Sequence, residues 1–435
     1  MPNDTRRTFL KRTGAGAAGA ALGLGPATGV AGANDKIVVG LIGCGGMGPR
    51  DALDMGGASF VCDPDRKRLA AAAKKFGVKP AHAVADLRRI LDDKSVDAVI
   101  VATPDHWHAP AGILACDAGK HVYVEKPCCH NFREGQLLVQ AARRNQRVVQ
   151  HGTQSRSSAL IAGGIQMLRE GIIGDVLAAK AWNIQRRANI GHRQPASPPA
   201  ELDYELWVGP AVMVPFRPNC HHYTWHWWYN FGTGDMGNDG VHELDYARWG
   251  LGVETLPSRV IAQGGKYYFD DDQEFPDTQM VVYDYPGDGK VGGKRQLIFE
   301  MRIWSPNSPH SCDNGVEFYG TKGRMFLTKR GRLEVLDERN RRIDKPKAKG
   351  SPPVKVGCHR KDFLDAIRNG RRPNAEIETG FRSAALCNLG NLATQLGRPI
   401  RLDPVRQQIV GDDEANRMLS RQYRKGGHWA IPKGV

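Results

Sequence analysis

Lys36-Ile37-Val38-Val39-Gly40-Leu41-Ile42-Gly43-Cys44-Gly45-Gly46-Met47-Gly48 decides the fold of this chain. The apolar run over 36–41 is short and ends at glycine, the pattern of a buried parallel strand. It leads straight into a G-x-G-x-x-G loop. Gly43 allows the tight turn, Gly45 lets backbone approach a pyrophosphate, and Gly48 permits close packing of a helix whose N-terminus carries the phosphates. Because the chain holds 51 glycines in 435 residues, a chance match is easy and the context must carry the motif. A second strand over 58–62 supplies that context. It ends at Asp63, where an acid accepts the adenosine ribose hydroxyls and repels a 2′-phosphate. NAD is therefore expected, while Arg66, Lys67 and Arg68 just beyond leave NADP possible.

The alternation continues. Spacing predicts helices over 66–76 and 86–91, then a strand over 97–102 opening into Thr103-Pro104-Asp105-His106-Trp107-His108. A helix over 109–118 precedes the strand His121-Val122-Tyr123-Val124, which stops at Glu125-Lys126-Pro127. A further helix over 132–145 and a strand over 147–150 lead to His151-Gly152-Thr153-Gln154. Strands alternating with helices make an α/β doubly wound parallel sheet, a Rossmann nucleotide-binding domain over 34–155. Ligands of such a sheet lie beyond the carboxyl ends of its strands. Lys126 is placed there, with Pro127 fixing the turn. Alone, Glu125-Lys126 would read as a solvated strand end. The glycine loop and Asp63 at the same sheet edge make it functional.

The second half has another texture. A helix over 157–170 and a run over 176–184 come first. Strand-like runs follow over 259–269, 278–285, 296–304, 315–319, 324–328 and 332–336, with a hairpin turn at Thr321-Lys322-Gly323. Successive strands without helices predict a C-terminal α+β domain over 156–435 with a large open, mostly antiparallel sheet. Helices are expected over 359–369 and 379–396, a loop over the site at 185–200, and a tight turn at Glu205-Leu206-Trp207-Val208-Gly209-Pro210. The polar tail from Pro404 is expected to wrap a neighbouring subunit. The stretch Pro218-Asn219-Cys220-His221-His222-Tyr223-Thr224-Trp225-His226-Trp227-Trp228-Tyr229-Asn230-Phe231 suits two roles: a sugar-facing surface, or an aromatic wedge in the core. Its Cys220, His221, His222 and His226 fit no standard zinc spacing, so no metal is expected.

Thr5-Arg6-Arg7-Thr8-Phe9-Leu10-Lys11 reads as a twin-arginine signal, followed by an Ala/Gly-rich stretch and a small-residue cleavage site at Ala31-Gly32-Ala33. A signal over 1–33, export to the periplasm in the folded state and no stable membrane insertion after cleavage are the expectations. The formal charge of +15 is spread among 46 acids with no nucleic-acid motif, so no nucleic-acid partner is expected. Nine cysteines, an odd number without framework spacing, do not predict a disulfide scaffold.

Taken in order, the glycine loop, Asp63, the Ala102-Thr103-Pro104…His108 turn and Glu125-Lys126-Pro127 resemble the Gfo/Idh/MocA family of NAD(P)-dependent oxidoreductases. The resemblance implies cofactor contacts from Gly43, Gly45, Gly46, Met47, Gly48, Asp63, Thr103, Pro104, His108, Glu125 and Lys126. It also implies that Lys126 and His242 face the nicotinamide and a substrate carbinol, with the imidazole taking the hydroxyl proton. Many relatives carry Asp four residues before this His. Here Asn238 stands in that place and cannot accept a proton, so Asp239 is expected to orient the ring as a third catalytic residue. Substrate contacts are expected from Lys126, Gln154, Trp225, His226, Asn238 and His242. The activity implied is reversible hydride transfer on a carbinol of a sugar, sugar derivative or polyol, in a homo-oligomer built on the open sheet. Free NAD is scarce outside the cytoplasm, so an exported enzyme should hold NAD tightly and recycle it. Transhydrogenation between two sugars and redox-assisted glycoside elimination are then alternatives. A non-catalytic sugar-binding protein retaining NAD is the reading from another class.

Overall fold

The structure, a computed structural model, describes residues 36–287 and 292–435. The twin-arginine stretch lies outside them. Strands β1 (Val39–Ile42), β2 (Phe60–Cys62), β3 (Ala83–Val84), β4 (Ala98–Val101), β5 (His121–Val124) and β6 (Val149–His151) form one sheet in the order β3-β2-β1-β4-β5-β6. Every pair in it is parallel. The strand order reverses between β1 and β4, and that switch point opens the crevice in which such sheets bind ligands.

Side chains alternate across the sheet as a period of two requires. Val39 and Leu41, Ala98 and Ile100, and Tyr123 enter one core cluster. Ile42, Val99, Val101, Val122 and Val124 enter the other. Helices α1 (Gly48–Asp54) and α2 (Arg66–Phe76) contribute Ala52 and Ala72 to the first cluster. On the opposite face lie α3 (Arg88–Leu91), α4 (Asp105–Asp117) and α5 (Phe132–Arg144). Helix α4 starts four residues before the predicted boundary, because extended Pro104 sets the entry and Asp105 occupies the first turn. His106, Trp107 and His108 are therefore helical. Pro110 inside α4 has no N–H for the carbonyl of His106 four residues back. Arg421 Nη2 donates to that carbonyl instead, at 2.8 Å.

Helix α6 (Ala159–Arg169) leads into the second sheet. This sheet comprises β7 (Val176–Asn183), β8 (Arg259–Gly265), β9 (Thr278–Tyr285), β10 (Arg295–Arg302), β11 (Asn314–Gly320), β12 (Gly323–Thr328), β13 (Arg332–Asp337), β14 (Ile400–Asp403) and β15 (Gln408–Ile409). Its order is β13-β12-β11-β7-β10-β9-β8-β14-β15. The β7–β10 pair is parallel and the others are antiparallel, giving the mostly antiparallel sheet expected.

The segment between β7 and β8 carries two helices. A short helix α7 (Tyr204–Val208) stands where a tight turn was expected. Asp203 accepts from Leu206 N at 3.0 Å to cap it, and Gly209 at φ 55° ends it. Helix α8 (Val241–Leu251) packs on the sheet through Gly250, where an added Cβ would lie 2.4 Å from the Phe318 ring.

The C-terminal region returns to the first half. Helix α9 (His359–Arg368) places Phe363, Leu364 and Ile367 in the core beside Val39, Leu41 and Tyr123. Arg360 Nη2 pairs with buried Asp51 of α1 at 2.6 Å. Helix α10 (Ile377–Leu396) packs between the two sheets, against α5 and β8. The tail makes contacts within its own chain. Arg421 pairs with buried Glu134 of α5 at 2.8 Å, and Arg133 donates to Gly434 O at 2.8 Å.

Candidate active site

A cleft of about 570 Å³ opens at the carboxyl edge of the first sheet, within the range of small-molecule and cofactor sites. Its first wall is the glycine loop. Gly43 holds φ +95°, and an added Cβ there would stand 2.4 Å from Ala102 O. Gly48 lies behind the loop and does not line the cleft: its Cβ would meet Gly43 O at 2.2 Å, so its role is close packing. Gly45, Gly46 and Met47 line the cleft, and around Gly46 no atom lies within 4 Å of a would-be Cβ. That open space above a backbone cradle fits a pyrophosphate.

Asp63 ends β2 with both oxygens aligned by backbone: Oδ2 accepts from Cys44 N at 2.7 Å and Oδ1 from Asp65 N at 2.9 Å. Burial pushes its carboxyl above the ordinary value. Of the three basic residues that follow, Arg68 lines the cleft and crosses Gly45, whose Cβ would lie 2.3 Å from Arg68 Nη1. Arg66 donates to Ala200 O, and Lys67 pairs with Glu201. Thr103 and Pro104 line the wall after β4. Thr103 Oγ1 is buried without a hydrogen-bond partner among the described residues, an orphan that suits a bound ligand. His108 contacts Pro127 O through Nδ1 (2.6 Å) and Thr103 O through Nε2 (2.8 Å), tying the ends of β4 and β5 together. Burial lowers its imidazole to about 4. Together these residues fit a dinucleotide.

Glu125 is buried and accepts from Gln154 Nε2 at 2.9 Å and from Lys126 N at 3.2 Å. Gln154 was expected to touch substrate. It stands behind Glu125 instead and does not line the cleft, because the turn after β6 points its amide at that carboxylate. Lys126 Nζ donates to the backbone carbonyl of Asn238 and reaches Asn238 Oδ1 at 3.3 Å. Met236–Gly240 forms a single π-helical turn running into α8, a geometry that recurs at functional sites.

His242 lines the cleft from the first turn of α8. Burial holds its imidazole well below the ordinary value, with the Lys329 charge acting in the same direction. Nδ1 of His242 is buried without a hydrogen-bond partner among the described residues, so Asp239 does not orient the ring by a hydrogen bond. The oxygens of Asp239 face Lys329 Nζ (2.6 Å), Arg187 Nη2 (3.3 Å) and the Gln185 amide. Arg187 also pairs with Asp235 at 3.0 Å, and Asn238 Nδ2 donates to Asp235 Oδ1 at 2.8 Å. These cations capture Asp239 because loop 185–200 and the end of β12 pack directly against the π turn.

The aromatic stretch divides between the cleft wall and the core. Tyr223, Trp225 and His226 line the cleft, with the Trp225 and His226 rings stacked at 3.6 Å. Cys220 and Phe231 are buried in an aromatic cluster with Trp207 and Trp225, both of which also line the cleft. Asp65, His221 and His222 bring one possible ligand atom each within 4.8 Å of one another, with His222 Nε2 3.1 Å from Asp65 Oδ2. Eight cysteines are buried, Cys358 is exposed, and all nine are free.

Arg68, Trp107, Arg187, Trp207 and Trp429 line the cleft without having been singled out as site residues. For Arg68 the signal was its place in the basic run after Asp63. Trp107 lies in the Thr103–His108 stretch after β4 and Arg187 in the loop expected over the site, whereas Trp207 and Trp429 reach the cleft by tertiary packing that no local pattern announces.

Comparison with known proteins agrees with this geometry. The profile of the Gfo/Idh/MocA oxidoreductase family, NAD-binding Rossmann fold, matches residues 37–153. That of its C-terminal alpha/beta domain matches 177–289 and 318–431. Levoglucosan dehydrogenase of Pseudarthrobacter phenanthrenivorans is 26% identical over 52% of this chain, a match spanning 56% of that enzyme. The scyllo-inositol 2-dehydrogenase (NAD(+)) of Bacillus subtilis is 24% identical over 80% of this chain and 90% of its own length. A solved structure of levoglucosan dehydrogenase in complex with NADH and levoglucosan superposes with a TM-score of 0.63 at 20% identity, covering 84% of this chain and 99% of that one. With both halves matched and the glycine cradle and Asp63 in place, the chain belongs to the Gfo/Idh/MocA oxidoreductase family.

Proposed function

We propose that this protein is an NAD-dependent oxidoreductase acting on a CH–OH group of a sugar, sugar derivative or polyol. The observation that carries the reading is a single cleft in which Lys126 and His242 stand beside the glycine loop and Asp63. When bound, NAD supplies a nicotinamide that accepts or returns hydride at the carbinol carbon. His242, kept neutral by burial, takes the hydroxyl proton. Lys126 hydrogen-bonds the same oxygen as negative charge develops on it, and the Asn238 carbonyl holds its ammonium in position meanwhile. Trp225 offers an apolar face to a sugar ring, while Tyr223 and Asn238 offer partners to hydroxyls. Arg187 is matched by Asp235 and Asp239, which favours an uncharged substrate. Asp63 favours NAD over NADP.

The test is a sugar and polyol panel against purified protein, reading the reduced-nicotinamide absorbance of the bound cofactor. Reduction by a member of the panel is expected. Stoichiometric NAD that no member reduces would instead identify a non-catalytic sugar-binding protein. Glycoside cleavage without net reduction would identify redox-assisted elimination.

We infer further that residues 1–33 form a twin-arginine signal and that the folded protein acts in the periplasm, on the strength of Arg6-Arg7 and the small residues at Ala31-Gly32-Ala33. Replacing both arginines by lysine should leave the protein in the cytoplasmic fraction. No helix among the described residues is long and apolar enough to cross a membrane. Association of copies through the open face of the second sheet, where Met280 and Tyr319 are exposed, is expected as an oligomeric mass in light scattering.

A further inference from the structure

The chemistry leaves one end of the cleft unused. Lys126 and His242 mark one end, and the glycine loop and Asp63 the middle. In the sheet, β3 lies beyond β2 and leads to Asp86 and Leu87, and Trp429, beside Trp107 and under Arg88, lines the cleft there; Trp207 lines it as well. Trp429 belongs to the final stretch of the chain and is far in sequence from every other residue of this wall.

Its position is built. Pro110 leaves the His106 carbonyl without its helical partner, and Arg421 Nη2 fills that place at 2.8 Å. The same guanidinium pairs with Glu134 at 2.8 Å, their side chains 9% and 0% exposed, and Tyr423 donates to that carboxylate at 3.0 Å. Arg424 N donates to Pro210 O at 3.1 Å, and the Arg424 side chain pairs with Glu205 of α7. Beyond these anchors the Trp429 ring lies 5.7 Å from Trp107, with the Arg88 guanidinium 4.3 Å over it. Asp86 holds that guanidinium in turn, at 2.5 Å.

We propose that Trp429 forms one wall of an adenine subsite, and that residues 421–431 are a clasp retaining the dinucleotide. The inference rests on the NAD reading and deepens it. With the pyrophosphate on the glycine loop and the ribose at Asp63, the adenine has this aromatic end of the cleft to occupy. A base gains by stacking on an aromatic side chain. Release of the adenine requires the clasp to move, and its root is a buried Arg–Glu pair that is costly to break by halves. Slow cofactor loss follows from the wall and its anchor together.

The test uses the full chain and reads binding rather than turnover. Release of NADH is followed by loss of bound-cofactor fluorescence on mixing with excess NAD. Trp429→Ala should speed release by roughly tenfold or more, as expected for loss of one base–aromatic stack, and Trp429→Phe should restore slow release. Affinity for nicotinamide mononucleotide, which lacks adenine, should be the same in all three proteins. In the unaltered protein, NAD but not the mononucleotide should slow amide hydrogen exchange over 421–431, a measurement that survives if the alanine variant fails to fold. Unchanged release from a folded Trp429→Ala protein, or no exchange protection by NAD, would overturn the clasp while leaving NAD binding intact. Failure of the unaltered protein to bind NAD would overturn the underlying reading instead.

Discussion

The two walls of the cleft are made in different ways. The first wall comes from the parallel sheet, and each of its residues stands within a few positions of a strand end: Gly43 after β1, Asp63 after β2, Thr103 after β4, Lys126 after β5. Backbone groups hold it, as in the bonds from Cys44 N and Asp65 N to Asp63. The second wall sets Arg187 against Asp239 and His242, and charge pairing with Asp235 and Lys329 behind it holds it. A wall set by backbone geometry can be read from local spacing. A wall set by long-range charge pairing cannot.

The largest effect that tests this division is on turnover. Lys126→Ala on the first wall and His242→Asn on the second should each lower kcat by about 10²–10⁴-fold, as loss of a positioned proton-transfer or charge-stabilising group does. NAD affinity should stay nearly constant in both. Because burial lowers the His242 imidazole, its base form persists as pH falls through the ordinary value near ~6.5. The acid limb of the rate profile should therefore lie below that value, and a limb at or above it would remove His242 as the base.

Within the first wall, two glycines should separate packing from binding. Gly48→Ala drives a methyl into Gly43 O and should cost about 1–3 kcal/mol of stability. Gly46→Val projects into open space, so it should spare the melting temperature while abolishing NAD binding. Equal destabilisation by both would merge the two roles.

Under the second wall, burial pushes Glu243 up to about 8. Its folded-state value exceeds the ordinary one, so its stabilising contribution is complete below about 4.5 and is lost as pH rises through about 8. Glu243→Gln should flatten the fall in melting temperature between those limits. An unchanged slope would mean that Lys329, at 3.0 Å, keeps Glu243 ionised.

The smallest effect is expected at Asn238. Its backbone carbonyl holds Lys126, and any side chain there keeps that carbonyl. Asn238→Asp should change kcat by about threefold or less, under ~1 kcal/mol. A large gain would mean that an acid at 238 is the missing catalytic group.

The parallel sheet and the place of Lys126 at the end of β5 were legible because period-two burial and strand-end motifs are local signals. Asp239 was misjudged because its partners Lys329 and Arg187 are remote in sequence. Gln154 was misplaced for a related reason: a turn after β6 aims its amide at Glu125, not at the cleft. Helix α7 hid inside Glu205-Leu206-Trp207-Val208-Gly209-Pro210, where the closing Gly-Pro spoke louder than the cap at Asp203. The tail's contacts within its own chain were hidden because polar composition conceals Arg421 and Trp429, whose partners lie in α5 and α4.

Helix α9 sets an order of events during synthesis. One face of the first sheet is covered only by α1 and α2 until Phe363, Leu364 and Ile367 arrive, roughly two hundred residues after β6 leaves the ribosome. The nucleotide-binding half therefore waits with that face incomplete while β7 to β13 of the second sheet are made. A fragment ending at Gln154 should bind hydrophobic dyes and gain order when a peptide spanning 359–368 is added.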